Sequence, residues 1–348
     1  MYDWLRRLFP SAGDKQFESS ATVSDESVAI AEEHLEGETP VSFGISWMQR
    51  EDLNANFTNW LFGNDDYPDL FANQIEIDTL EALDKIVKSK QSGAKLVRRI
   101  PGVVPQLLQN LRTENYSVTE LARKISHDVV LVEAVIRIAN SSLYGPDQSV
   151  KNIEHAVMLL GQEGLRQLII NVAFKPIIGL NSGRFTKLIA PKIWDQSEKC
   201  AIANRLLAVG ERIDPFEAFL AGLIQNVGLI VSLHVIDQMS DDAKDIGSAT
   251  FCNTLINYAR ILSCSIGREW RFPEAITNAI EEQGSVYNDA NLSPIGKTLR
   301  SGDFLSKLLT LTAHNQLTEA NAALVETLSE KELACFEELT AALPKDSE

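Results

Sequence analysis

Apolar residues in this chain recur at three- and four-residue intervals, and no stretch alternates apolar with polar long enough to make a strand. That periodicity restricts the chain to packed helices, since a repeat of 3.6 presents one stripe to a core while a repeat of two presents a sheet face. Leu53, Phe57, Trp60 and Leu61 fall at i, i+4, i+7 and i+8. A second helix is expected from Asp78, with Leu80, Leu83 and Val87 on one face, and 88–94 reads as a linker. Further on, Ser117-Val118-Thr119-Glu120 is a capping box, and Asp128 caps a helix whose stripe is Leu131, Val135 and Ile138. That helix ends at Asn140-Ser141-Ser142, with Gly145-Pro146 closing the loop. Asn152 caps a helix ending at Gly161, and Gly164 precedes another through Phe174. Helices also fit 193–210, 215–234, 251–268 and 273–283, and Ser293-Pro294 is a cap-plus-proline start for one reaching about Thr312. The expected fold is all-α and multi-helical.

Charge divides the chain unevenly. Residues 11–84 carry 17 acids against Lys15 and Arg50, whereas residues 85–348 hold 30 acids and 28 bases. The segment 11–39 is polar and acidic with few periodic apolar residues, so it reads as a flexible arm, with order beginning near Ile45. Nucleic-acid affinity needs a basic face for phosphates, and none is visible, so nucleic acid is excluded as a partner. Residues 1–10 carry two arginines among Trp4, Leu5, Leu8 and Phe9 with no apolar run after them, which fits neither a signal peptide nor a stable membrane insertion. Cys200, Cys252, Cys264 and Cys335 lack C-x-x-C spacing, the usage of a reduced, cytoplasmic protein.

Catalytic signatures are missing from the sequence. No phosphate-binding glycine loop, H-E-x-x-H or G-x-S-x-G motif occurs, and His34, His127, His155, His234 and His314 are scattered, with no two histidines at i,i+3 or i,i+4. His127-Asp128 is a literal His-Asp pair of the kind metal-dependent phosphohydrolases use. It has no other ligands nearby, and an aspartate at a helix start is explained by capping alone.

Several short motifs nevertheless fall in a specific order. They are Ile100-Pro101 with Val104-Pro105, then Leu121-Ala122, Ile125, Asp128 and Leu131, then Ile138-Ala139-Asn140-Ser141-Ser142. Ala156 with Leu159-Leu160-Gly161 follows, then Trp194-Asp195-Gln196-Ser197, Ala218-Phe219-Leu220-Ala221-Gly222-Leu223 and Trp270-Arg271-Phe272-Pro273. Together they resemble the HDOD (HD-related output) domain family over about residues 96–290. The resemblance implies an all-helical domain of bacterial regulatory proteins, related to HD phosphohydrolases but acting without their catalysis. It divides the chain into an acidic N-terminal extension (1–95), an HDOD-like domain (96–290) and C-terminal helices packing on it (291–348).

The same resemblance locates where catalytic relatives hold metal. Their first histidine falls at Gln196, their His-Asp pair at Gln225-Asn226, a further histidine at Gln283, and their last acid at Asp303. Neutral amides are poor ligands for divalent metals beside imidazole or carboxylate, so no metal and no cofactor is expected, and no catalytic residue. Without a metal nothing brings an attacking water towards neutrality. The expected function is signal transduction through protein–protein interaction, with partners that present a basic surface to the acidic arm. The alternative is a small-molecule or nucleotide sensor using Gln196, Gln225, Asn226, Gln283 and Asp303 as polar contacts. A residual phosphohydrolase comes third. Asn140-Ser141-Ser142, Trp47, Phe57 and Trp60 are further candidate contacts whose plainer reading is turn and core.

Overall fold

The computed structural model of the chain describes residues 45–64, 70–89, 183–239, 246–284 and 291–341, with scattered positions between 132 and 159. The 11–39 arm, most of the 88–94 linker, the capping box at 117–120, His127-Asp128, the Asn140-Ser141-Ser142 turn and the 164–174 helix lie outside the described residues. The chain divides between Ser42 and Phe43, and every described residue falls in the second part, Phe43–Glu348.

The described residues contain helices and no strand. They are α1 (Trp47–Phe62), α2 (Gln74–Lys88), α3 (Arg184–Ala208), α4 (Pro215–Ile224), α5 (Val227–Met239), α6 (Ala249–Glu269), α7 (Glu274–Glu282), α8 (Pro294–Ala313), α9 (Glu319–Ala322), a 3-10 turn (Ala323–Thr327) and α10 (Glu330–Ala341). The 25-residue α3 lies at the centre, packed by α4, α5, α8, α10 and α1, and α8 closes on α4, α7, α10 and α1. The core holds Ile193, Ala201, Leu207, Phe219, Leu233, Phe251, Leu305 and Phe336, each nearly or wholly removed from water. The Pro215–Met239 stretch is apolar enough by composition to cross a membrane, yet most of it is buried among these helices.

The chain starts its helices with side chains that satisfy free backbone N–H groups. Ser46 Oγ accepts from Gln49 N while Gln49 Oε1 accepts from Ser46 N, a reciprocal capping box. Asp214 before Pro215 caps α4, and Ser293 before Pro294 caps α8, the start the sequence predicts. Gly222 and Gly228 mark where backbones touch. A Cβ at Gly222 would stand 2.8 Å from the Ala201 backbone of α3, and one at Gly228 would stand 1.9 Å from the Ala259 carbonyl of α6.

Three boundaries differ from the periodicity reading. Helix α2 begins at Gln74 rather than Asp78, because Asn73 and Glu76 form a second capping box. Helix α3 begins at Arg184 and runs through the exposed Pro191, with its first turn fastened to α5 where Asp237 accepts from Phe185 N and Thr186 N. The single helix expected over 215–234 is two helices, broken at Gln225-Asn226.

Helices α1 and α2 are built into the body. Leu53, Phe57, Leu61 and Leu83 are buried, with Leu53 and Leu83 fully so. Glu76 is also fully buried. Its carboxylate accepts from Gly247 N (2.7 Å), Ser248 N (2.9 Å) and Ser248 Oγ (2.8 Å) at the start of α6. Those free amides make a helix N-terminus a natural seat for a negative charge. Asn64 Nδ2 adds a bond to Gly247 O at 2.6 Å, and Tyr258 Oη donates to Asp84 across α6 and α2.

Candidate functional site

The break between α4 and α5 positions the site. Ser263 of α6 donates to the Gln225 carbonyl (2.6 Å) and accepts from Gly228 N (2.8 Å), holding the two-residue break against α6. The Gln225 and Asn226 side chains are thereby turned towards α3 and α8. Asn204 of α3, fully buried, donates to the Ala218 carbonyl at 3.0 Å. Its Oδ1 lies where a Cβ at Gly302 would stand, 1.9 Å away, so α8 comes close to α3 just before Asp303.

Four of the five predicted positions meet there. Gln196 is fully buried, and its Nε2 donates to Asp303 Oδ1 (3.0 Å) and to Ser306 Oγ (2.8 Å). Gln225 Nε2 donates to the same carboxylate oxygen at 2.9 Å and to Cys200 Sγ at 3.1 Å. Asn226 Nδ2 donates to Gln196 Oε1 (2.7 Å) and Ser197 Oγ (3.2 Å). An ionised carboxylate only accepts, so it fixes which way the two glutamine amides face. Every polar atom of the Gln196 side chain is used within the cluster.

Gln283 is not part of this group. It closes α7, donates to the Ala279 carbonyl (2.7 Å) and the Gly296 carbonyl (3.1 Å), and accepts from Arg300 Nε at 3.4 Å. It ties α7 to the start of α8, a backbone-fastening task that an amide does well.

The sequence reading does not anticipate the residue that completes the site. Lys307, one helical turn after Asp303, places its Nζ 2.6 Å from Asp303 Oδ2. The ammonium also donates to Asn54 Oδ1 of α1 at 2.8 Å and lies 5.7 Å from the Phe57 ring centroid. Both charged side chains are largely covered, at 17% and 22% exposure. The i,i+4 acid–base spacing was visible in the sequence as a helical pair; the contribution of Asn54, 253 residues away, had no local signal.

A metal ion does not fit these residues. A divalent cation needs lone pairs converging on one point. Here amide N–H groups and an ammonium converge on Asp303, and its two oxygens are taken by Gln196, Gln225 and Lys307. Among the described residues no group of three or more His, Cys, Asp or Glu is gathered closely enough to hold a metal. Cys200 beside the cluster accepts from Gln225 Nε2, and burial and the neighbouring Asp303 charge push its thiol well above its ordinary range.

Comparison with known proteins gives a consistent picture. The sequence profile of the HDOD domain matches residues 97–286. An uncharacterized protein of Treponema pallidum (strain Nichols) is 21% identical over 216 residues, 59% of this chain and 40% of that protein, so the chain spans well under half its length. Among solved structures, an HDOD domain protein of unknown function from Geobacter sulfurreducens aligns with a TM-score of 0.54 at 18% identity, covering 77% of this chain and 94% of that one. A candidate metal-dependent phosphohydrolase from Shewanella amazonensis aligns at 0.50 and 17% identity, covering 77% and 99%. A candidate signal transduction protein from Marinobacter aquaeolei aligns at 0.50 and 18% identity, covering 79% of this chain and 65% of that one. At these identities the likeness to the solved structures is one of fold.

Proposed function

Because the chain belongs to the HDOD domain family, we propose that it is a non-catalytic regulatory protein of bacterial signal transduction that works by binding other proteins. The observation that carries this reading is what surrounds Asp303. Its carboxylate accepts from two amides and an ammonium, so both oxygens face N–H donors and its charge is already offset by Lys307. A group in that state neither holds a catalytic metal nor acts as a general base on a water. The sensor reading draws less support, because Gln196 and Asn226 spend their amide groups on each other and on Asp303, Ser306 and Ser197. The Marinobacter protein of similar fold is itself named for signal transduction. The partner we propose carries a basic surface, since nearly all of the net negative charge of this chain lies in residues 11–84.

Two measurements on the purified full chain test the proposal. Elemental analysis and assays with Mn, Mg and Zn salts should find no stoichiometric metal and no hydrolysis of phosphate esters or cyclic nucleotides. Bound metal with matching hydrolase activity would overturn the non-catalytic reading. Partner capture from native extract should weaken steeply with salt, and weaken again when the acids between Glu18 and Glu38 are neutralised. Equal capture by both chains with the same shallow salt slope would remove the arm from recognition.

A further inference from the structure

Lys307 has a position that core packing alone does not account for. Its ammonium sits at the junction of two sets of contacts: Asp303 and the amide cluster on one side, Asn54 and Phe57 of α1 on the other. The α1 side offers it only neutral acceptors, the Asn54 amide oxygen and an aromatic face, while the acids of α1, Glu51 and Asp52, are exposed to solvent. Among the described residues the carboxylate that offsets its charge is Asp303. An ammonium withdrawn from water needs such a partner, and amide or ring contacts alone do not replace it.

We infer that Lys307 is the resident cation of the amide cluster and that it couples helix α1 to that cluster, so that a change at Asp303 is felt in α1. The chain of contact is short and directional. Gln196 and Gln225 fix Asp303 Oδ1, Asp303 Oδ2 fixes the ammonium, and the ammonium fixes Asn54. When the carboxylate charge is removed, the ammonium is drawn towards water and leaves Asn54. Lys307 is a positioning residue in this scheme. A second lysine also reaches α1: Lys192 of α3 lies 4.4 Å from the Trp60 ring centroid and 3.4 Å from the Trp60 carbonyl oxygen. The coupling stands apart from the partner reading, which metal and hydrolase assays test by themselves.

Hydrogen exchange by mass spectrometry on the full chain tests it. Asp303→Asn alters a carboxylate whose hydrogen bonds go to Gln196, Gln225 and Lys307 rather than to α1, and should raise exchange of α1 amides (47–62) several-fold while α10 (330–341) stays at its wild-type rate. Lys307→Gln should give the same rise, and the double variant should add nothing further. Unchanged α1 protection in Asp303→Asn, or full addition in the double variant, overturns the coupling. If Asp303→Asn fails to fold, Asn54→Ala and Lys307→Gln decide the matter. Coupling makes each single variant and their double alike in α1 exchange, whereas additive effects refute it.

Discussion

At the scale of single residues the buried thiols give a sharp pH signature. All four cysteines are buried. Burial pushes Cys252 and Cys335 up from 9.0 to about 12 and Cys264 to about 11, with the Glu76 charge adding to the effect at Cys252. Raised folded-state values stabilise the fold fully below pH 9, where thiols are protonated in both states. That contribution is then lost as pH climbs through 9 towards 11–12, because only the unfolded chain ionises. The cost is about 1.4 kcal/mol per pH unit for each thiol. Urea midpoints between pH 8 and 10.5 should fall accordingly, and Cys252→Ala should flatten the slope by one thiol's share. At pH 8 a thiol reagent should label none of the four until the chain unfolds. Residue chemistry was partly legible beforehand: thiol spacing and the amides at 196, 225 and 226 were in plain sight. Lys307 carries no signal of its own in the sequence, because a lysine four residues after an aspartate is also what any exposed helix carries.

At the scale of elements, backbone approach and termini decide which substitutions matter. Helix α6 ends with Arg271 in the left-handed region (φ 57°), where Phe272 N bonds back to the Gly267 carbonyl. That conformation favours glycine, so Arg271→Gly should stabilise the chain by about 0.5–1 kcal/mol. Gly228→Ala should do the opposite, by roughly 3 kcal/mol or more, because its Cβ would meet the Ala259 carbonyl 1.9 Å away and force α5 off α6. Thermal melts of the two variants check both signs. The elements also show why periodicity locates helices better than their ends. The cap at Ser293 precedes a proline and is plain in the sequence, whereas Asn73 with Glu76 carries little signal because a fully buried glutamate does not look like a core residue. The break at Gln225-Asn226 is enforced by Ser263 from another helix, a contact with no trace in the local sequence.

At the scale of the whole molecule, the folding unit is larger than the family match. The HDOD profile covers 97–286, but Leu53, Phe57, Leu61 and Leu83 are buried in the same body. Burying each such side chain contributes about 1.5–3 kcal/mol, so α1 and α2 together contribute an amount comparable with the ~5–15 kcal/mol that holds a whole domain folded. A chain starting at Ile45 should keep the cooperative melt of the full protein, within about 2–4 °C. A chain starting at residue 96 should lose it. Calorimetry on the two truncations checks this, and a cooperative melt for the shorter chain would place α1 and α2 outside the folding unit.

Glu76 also sets an order in time. The amides that receive its carboxylate belong to residues made 171 and 172 positions later. At roughly 5–20 residues per second on a ribosome, that interval is about 9–34 s. During that interval the carboxylate keeps its water, and Leu83 has no α6 to pack against. The helix the chain makes early waits for a seat on α5 and α6 that is made more than a hundred residues later. A nascent chain of this protein therefore shows the cell an unburied apolar stripe until α6, ending at Glu269, has been synthesised and has cleared the exit tunnel.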